Sequence, residues 1–353
     1  MLRNKKCKSI GENRKMSSVV KTVSEYVDNV LIPNENKIPT DYLDEFIRMG
    51  FFKIGHSKQY GGLGLSLRDQ ILLQMQFGRT KLGFRNQFST TTTLASGLLD
   101  QFGEAELLEQ VNNGTVISMA YTEPQKTTST TYERVDNNSW KINGSKLYIS
   151  NSPLATWFIV FASGTFFLVH KDQVEIGNPH VKMGQEENPV ADVYFNNSIS
   201  TKMLGQEGRA LPLAEGAFTR GRLIVTAVSV GMCMRMCDEM VAYAKARNVF
   251  QHQLVQGLIA DSVAKTYAAK ATVIEAATNF SPLSSSAAKL FCTNAACQVA
   301  DNAVQVLGGY GIMRGHIIEQ FYRDVRVMRL YEGTDEIQKL NIAKHFKEGI
   351  LNE

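Results

Sequence analysis

The sequence predicts an α+β fold in which a helical domain, a small β domain and a second helical domain follow one another. Hydrophobic residues recur at helical spacing in the first and last thirds of the 353 residues, whereas they alternate with polar residues in the middle third. The composition, 44% hydrophobic and 20% charged, is typical of a folded globular protein. No stretch is long and apolar enough to predict a membrane span.

The positive charge of the chain is concentrated at its N-terminus. Residues 1–21 contain seven Lys and Arg against one Glu, so the rest is close to neutral and the formal charge of +4 does not indicate nucleic-acid binding. We expect residues 1–16 to form a poorly ordered basic tail, since they lack the apolar segment of a signal peptide. The five cysteines include no CxxC pair, which indicates buried thiols, no metal site and a cytoplasmic location.

The first domain is predicted over residues 17–116 and is helical. Amphipathic segments at 17–31 and 40–50 are separated by a break that contains two prolines. Helical periodicity resumes at 65–114, after a glycine-rich loop at 60–64. The first third of the chain therefore predicts several short helices rather than strands.

The middle domain is predicted over residues 117–208 and is an antiparallel β domain. Hydrophobic and polar residues alternate around 140–149 and again around 157–168, as in half-buried strands. Asn143 and Gly144 interrupt the first of these runs, and an Asn-Gly pair between alternating segments predicts a hairpin turn.

The last domain is predicted over residues 209–353 and is helical. One apolar stripe recurs every four residues and is more typical of a helix core than of a ligand site, and it comprises Ile224, Val228, Met232, Met236 and Met240. Further helices are predicted at 254–279, 285–307, 315–327 and 334–348. Helical domains on both sides of a β domain would leave a cleft in which a flat cofactor could lie.

The most informative motif spans residues 322–326 and 330–338. Thr334 is a good N-cap for the last predicted helix, and Gly333 frees the backbone in front of it. Glu332 would then lie near the positive end of that helix, with its own N–H free to donate. From these residues alone, an ordinary acidic residue ahead of a helix is the commoner interpretation.

Residues 303–345 resemble the C-terminal signature of the acyl-CoA dehydrogenases. The segment 305–311, Gln-Val-Leu-Gly-Gly-Tyr-Gly, precedes an Arg-Asp pair and the Tyr-Glu-Gly-Thr loop at 331–334 in the family's order and spacing. In that family the loop Glu is the catalytic base, so the resemblance implies that Glu332 removes the α proton of an acyl thioester. It also implies the fold of the family, with an N-terminal helical domain, a central antiparallel β domain and a C-terminal four-helix bundle.

The resemblance extends to the residues that would bind FAD and the substrate. The FAD candidates that it implies are Tyr121, Thr122, Tyr148, Ser150, Arg247, Phe250, Gln305, Gly308, Gly309, Thr334 and Glu336. The substrate candidates that it implies are Ser129, Arg222 and Gly333. By resemblance, FAD is shared between the subunits of a homodimer or homotetramer, and the reduced flavin passes its electrons to an electron-transfer flavoprotein or to oxygen.

Gly221 distinguishes this chain from some relatives. Those relatives carry the base just before the arginine that matches Arg222, whereas this sequence has glycine there. Glu332 is therefore the one candidate at a base position of the family.

Other departures from the family pattern lie where CoA or the FAD diphosphate would be bound. Residues 125–130 replace a small-residue run that commonly ends in Gly-Ser-Asp, and Ser129 is the candidate for its serine. These departures suggest that the acyl or aminoacyl group could be carried by a carrier protein instead of CoA. Two other classes stay open, namely a non-catalytic protein with this fold and a flavin oxidase or monooxygenase.

Overall fold

The computed structural model describes residues 18–124 and 130–346, and within them the three domains follow one another in the predicted order. The basic tail expected at 1–16 and the substrate candidate Ser129 lie outside the described residues. No helix in the described part of the chain is long and apolar enough to cross a membrane.

The N-terminal domain consists of short helices around a core of aromatic side chains. Its helices are α1 (Ser18–Tyr26), α2 (Leu43–Arg48), α3 (Leu67–Gly78), α4 (Leu82–Thr90), α5 (Ser96–Phe102) and α6 (Ala105–Asn112). A π-helical turn, Thr91–Ala95, joins α4 to α5. All residues of 82–89 are buried, so α4 is enclosed on all sides and lies in the interior of the molecule.

The middle domain is built from two four-stranded sheets. Its strands are β1 (Ile117–Ala120), β2 (Thr131–Asp136), β3 (Ser139–Ser150), β4 (Trp157–Ala162), β5 (Thr165–His170), β6 (Glu175–Ile176), β7 (Val190–Ser200) and β8 (Lys202–Leu204). The order is β1-β4-β5-β8 in one sheet and β2-β3-β7-β6 in the other. The strands pair antiparallel except β1 with β4, which are parallel because the chain crosses through the second sheet between them.

The predicted hairpin turn at Asn143 and Gly144 is wrong. Both residues lie inside β3, where the register with β7 shifts between Ile142 and Gly144. A Cβ atom at Gly144, whose φ is 140°, would lie 2.7 Å from the Cα of Thr130. Glycine is therefore required here by a β-bulge and by the close approach of the Thr130 backbone. The Asn-Gly pair alone does not distinguish such a bulge from a hairpin turn.

The C-terminal domain packs three long helices side by side. Its helices are α7 (Ala210–Ala246), α8 (Gln253–Thr278), α9 (Pro282–Leu307), α10 (Ile317–Val327) and α11 (Asp335–Ala343). The predicted apolar stripe of α7 is buried, and its last four residues pack against α9 and α10, whereas Ile224 packs with residues of α3 and α8. Shorter α10 and α11 pack on α9, while α3 of the N-terminal domain packs on α7.

Candidate active site

The loop between α10 and α11 holds Glu332 in an unusual backbone conformation. Glu332 has a φ of 56°, a left-handed value that costs free energy in a residue with a side chain and persists where the surroundings fix it. Thr334 caps α11 as predicted, since its side chain accepts a hydrogen bond from the N–H of Ile337 at 3.4 Å. Gln338 Nε2 donates to the carbonyl oxygens of Glu332 and Gly333 at 3.1 and 2.8 Å, which ties the loop to the helix that follows.

Two cationic side chains hold the same loop from α9 and α7. Lys289 is fully buried, and its Nζ donates to the carbonyl oxygen of Gly333 at 2.8 Å. Burial lowers the pKa of Lys289 to about 8, while the negative charges of Asp335 and Glu332 act in the opposite direction. Arg222 Nε lies 3.4 Å from the carbonyl oxygen of Glu332, so this predicted substrate residue contacts the predicted base.

The Glu332 carboxylate is buried and incompletely bonded. The residue as a whole is half-buried, yet its Oε2 has no exposed surface and no hydrogen-bond partner among the described residues. Burial raises the pKa of Glu332 to about 7, against the opposing charges of Arg222, Lys289 and Arg85. A buried carboxylate with a pKa near neutrality and an oxygen without a partner among the described residues is suited to act as a general base.

Gly221 of α7 makes room for this carboxylate. A Cβ atom at residue 221 would lie 2.7 Å from Glu332 Oε2 and 3.0 Å from its Cδ. The Leu94 side chain reaches the same point from the π-helical turn, at 3.2 Å. The position at which some relatives carry their base is therefore filled here by the side chain of Glu332.

Arg85 places a further positive charge close to the site. It lies on α4 with 7% of its surface exposed, and its Nε donates to Gln74 Oε1 at 2.5 Å. Neither Arg85 nor Lys289 was among the residues predicted from sequence. The sequence around Arg85 offered no signal, because Arg85 is followed by Asn86 and Gln87 and this polar run does not indicate that all three residues are buried.

The β domain makes several contacts with this loop and its helices, and three of them bear on the site. The ring of Tyr121 packs on Phe218 of α7 at 4.8 Å between centroids. Asn151, which follows β3, donates through Nδ2 to the carbonyl oxygen of Asn86 on α4 at 2.8 Å. These two contacts bring the ends of β1 and β3 close to α7 and α4. The flavin candidates at these strand ends are Tyr121, Thr122, Tyr148 and Ser150.

The third contact joins the β domain directly to the loop of the base. The N–H of Gln185 donates to Asp324 Oδ1 at 2.5 Å, and Gln185 Nε2 donates to the hydroxyl of Tyr331 at 3.4 Å. Asp324 is fully buried, and this burial raises its pKa to about 7. The Arg-Asp pair of the sequence motif therefore serves to dock one domain on another.

The other flavin candidates lie elsewhere on the chain surface. Arg247 follows the end of α7, 25 residues after Arg222, so a rise of about 1.5 Å per residue places it about 37 Å away. The rings of Tyr243 and Tyr310, 5.9 Å apart, join this end of α7 to the turn after α9. The exposed candidates in this region, which a single chain does not bring to Glu332, are Arg247, Phe250, Gln305, Gly308 and Gly309.

The residues around Glu332 fit a flat cofactor bound between the β domain and the helices. Within residues 18–124 and 130–346, Glu332 Oε2 has no hydrogen-bond partner and the Glu332 N–H has no acceptor. The Tyr148 side chain is 64% exposed, although Asn151 at the end of the same strand is hydrogen-bonded to α4. Glu336 lies exposed in the first turn of α11, beyond Thr334, on the solvent side of the loop.

Comparison with known proteins gives one family for all three domains. Residues 14–114, 118–198 and 208–347 match the N-terminal, middle and C-terminal domains of acyl-CoA dehydrogenase. The chain is 30% identical over 342 residues to a 3-(aryl)acrylate reductase of Clostridium sporogenes, covering 88% of this chain and 90% of that protein. It is 27% identical over 368 residues to the short-chain specific acyl-CoA dehydrogenase of Clostridium acetobutylicum, covering 94% and 97%.

The crystal structure of the prolyl acyl carrier protein oxidase AnaB has the same fold. It superposes with a TM-score of 0.87 at 24% identity, over 94% of this chain and 98% of that one. The predictions of the fold class, of the family and of a flavoprotein oxidoreductase are confirmed. The chain belongs to the acyl-CoA dehydrogenase family of FAD-dependent oxidoreductases.

Proposed function

We propose that the protein removes two hydrogens from the α and β carbons of an acyl thioester, with Glu332 as the base. One observation carries this proposal. The Glu332 Oε2 atom is buried and has no partner in the part of the chain that the structure describes, and burial raises the pKa of the carboxyl to about 7. Such a group is a stronger base than an exposed carboxylate and is still ionised in a useful fraction at neutral pH.

The chain supplies the proton acceptor and the stabilisation of the charge that develops on the substrate. Glu332 Oε2 would take the proton from the α carbon, and FAD, when bound, accepts the hydride that leaves the β carbon. Both C–H bonds break, a C=C bond forms and two electrons leave the substrate. The Glu332 N–H would donate to the thioester oxygen as negative charge builds up on it.

The lysine and arginine around the loop would keep the base in place during this step. Lys289 fixes the Gly333 carbonyl oxygen and Arg222 lies against that of Glu332, so the peptide planes on both sides of Glu332 are restrained. We assign these two side chains to orientation of the loop, because their contacts are with backbone oxygens. A base held within a fraction of an ångström of its target contributes far more than a mobile one.

The thioester could be carried by CoA or by a carrier protein. The Clostridium acetobutylicum relative is named as an acyl-CoA dehydrogenase, whereas the structural neighbour AnaB is named as an acyl carrier protein oxidase. FAD would be shared between the subunits of a homodimer or homotetramer, because Arg247 and its exposed neighbours lie too far from Glu332 to bind the same cofactor. The electron acceptor would be an electron-transfer flavoprotein or oxygen.

The test is anaerobic reduction of the bound flavin by thioesters, measured as loss of the flavin absorbance. Glu332→Gln should bind FAD as the wild type does and lose about 10²- to 10⁴-fold in the rate of bleaching, as expected for removal of a general base. Glu133→Gln, which changes an exposed glutamate of β2, is the control and should bleach at the wild-type rate. Full activity of Glu332→Gln would rule out its role as the base.

A further inference from the structure

Residues 183–187 of the β domain, here called the docking loop, are fixed to both helical domains. A Cβ atom at Gly184 would lie 2.5 Å from the carbonyl oxygen of Arg323, so the backbone of the docking loop lies directly on α10. Arg323 Nη1 also donates to two acceptors of this loop, each at 2.8 Å. On the side of the N-terminal domain, Glu187 pairs with Lys81, the residue before α4. The docking loop is therefore anchored on two elements that do not belong to its own domain.

Gln185, in the middle of the docking loop, has a left-handed backbone. Its φ is 50°, a value that costs free energy in a residue with a side chain and persists where the surroundings fix it. The buried carboxyl of Asp324 supplies that restraint, because its Oδ1 accepts the N–H of Gln185 at 2.5 Å. The side chain of Gln185 therefore extends from a backbone that has little freedom to move.

This side chain reaches the residue that precedes the base. Gln185 Nε2 donates to the Tyr331 hydroxyl at 3.4 Å, and the hydroxyl donates in turn to Met328 Sδ at 3.2 Å. The hydroxyl is thus held between the β domain and the end of α10. The peptide unit that joins Tyr331 to Glu332 contains the N–H that donates to the thioester oxygen in the proposed function. A contact that fixes Tyr331 therefore acts on the orientation of this N–H and of the base.

We propose that Gln185 is a positioning residue that sets the place of Glu332 relative to the flavin. The base lies on the C-terminal domain, whereas the flavin candidates at the ends of β1 and β3 lie on the β domain, and Gln185 bridges the two domains beside the base. The proton and the hydride leave adjacent carbons of one acyl group, so their two acceptors have to keep a fixed separation. This inference rests on the proposed function, since it adds a residue to the same site.

Gln185→Met tests the amide, because methionine has a similar length and cannot donate a hydrogen bond. The flavin of the holoenzyme is reduced anaerobically by butyryl, hexanoyl and octanoyl thioesters, each offered on CoA and on pantetheine. At saturating thioester we expect the rate constant of bleaching to fall about tenfold, as for one lost hydrogen bond that orients a reacting group. FAD and the thioester should bind as tightly as in the wild type, so that kcat changes and KM does not.

Tyr331→Phe removes the other partner of the same hydrogen bond. It should slow bleaching about tenfold as well, and the double variant Gln185→Met with Tyr331→Phe should be no slower than the slower single variant, because the second change has no contact left to remove. Gln173→Met is the matched control. Gln173 is an exposed glutamine of the β domain whose Oε1 accepts the N–H of Ile199 at 3.2 Å, and its variant should bleach at the wild-type rate.

The pH profile of kcat/KM distinguishes positioning of the base from a general loss of stability. Burial raises the pKa of Glu332 to about 7, against the charges of Arg222, Lys289 and Arg85, so the wild-type rate should rise with pH around neutrality. A loop that is less firmly held lets water reach the carboxylate. The pKa of Glu332 then falls towards its ordinary value, and the acidic limb of the profile should move to lower pH in Gln185→Met.

The outcomes separate this inference from the proposed function. A wild-type rate and profile in Gln185→Met overturn the role of Gln185 and leave the base assignment standing. Additive losses in the double variant, or an acidic limb that does not move, overturn it as well. Bleaching of the wild type by no thioester overturns both proposals. If Gln185→Met does not fold, Gln185→Gly decides the question, because glycine adopts the left-handed backbone without strain and keeps the N–H that Asp324 accepts.

Discussion

At the scale of single residues, the site depends on the absence of a side chain at residue 221. The Glu332 carboxylate lies where a side chain on α7 would project, so a methyl group at Gly221 would approach Oε2 to 2.7 Å. A residue on α7 and a base from the loop therefore compete for one space. This competition gives a physical reason why a base at residue 332 is accompanied by glycine at residue 221.

Gly221→Ala should accordingly displace the base. We expect kcat to fall about 10- to 100-fold with FAD still bound, because a shift of about 1 Å at the reacting group can cost about 100-fold in rate. Gly216→Ala lies on the same helix, where an added Cβ meets nothing within 4 Å, and it should leave kcat unchanged. An unaltered kcat in Gly221→Ala would show that Glu332 does not occupy this space during turnover.

Sequence predicts the base and misses the groups that surround it. Glu332, Gly333 and Thr334 are adjacent in sequence, so the cap and the loop could be read as one motif. Lys289 lies 44 residues before the Gly333 carbonyl oxygen that it bonds, and nothing in its helical context marks it as different from a surface lysine. Arg85 is similar, because a helix that is buried on all sides has no polar face to set a functional charge apart.

At the scale of elements, α3 and α7 cross with almost no space between their backbones. A Cβ atom at Gly231 would lie 2.1 Å from the carbonyl oxygen of Met75, and one at Gly78 would lie 2.3 Å from that of Val228. The two glycines therefore face each other across the crossing, which fixes the N-terminal domain on the helix that carries Gly221. Their function is close packing of two helices, for which neither has to adopt a special φ.

Gly231→Ala should therefore destabilise the protein. We expect a loss of about 1–3 kcal/mol in the free energy of unfolding, the usual effect of extra volume in a packed core, measured by urea denaturation of the holoenzyme. Gly257→Ala is the control, because it lies in α8 with nothing within 4 Å of the added Cβ and should be neutral or slightly stabilising. Equal stability of the two variants would contradict a tight crossing.

The elements themselves were predictable to the extent that local pattern determines them. The Met stripe of α7 and the alternation in β3 each reflect the face that the element buries, so their periods were visible in sequence. The alternation expected around 157–168 is wrong for β5, which is buried at five of its six residues. The parallel pairing of β1 with β4 was not, because these strands are separated by two strands of the other sheet. The bulge at Gly144 also depends on the approach of Thr130, a contact that no local pattern contains.

At the scale of the whole molecule, the three domains meet around Glu332, yet five of the eleven implied FAD residues lie near the other end of α7. Arg247 is about 37 Å along the helix from Arg222, a distance longer than an extended FAD molecule. An Arg247 that binds FAD therefore binds the cofactor of a second copy of the chain. Each complete site would then contain Glu332 from one subunit and Arg247 from another, related by the two-fold axis of a dimer.

Mixing two inactive variants tests this arrangement directly. Glu332→Gln removes the base and Arg247→Glu should prevent flavin binding, so each homodimer should be inactive. A mixed dimer has one site with both wild-type residues, and random pairing should therefore restore about a quarter of the wild-type activity per subunit. Co-expression with two different affinity tags isolates the mixed dimer, in which about half of the wild-type activity is expected. If Arg247 served the site of its own chain, the two substitutions would leave both sites of the mixed dimer defective and no activity would return.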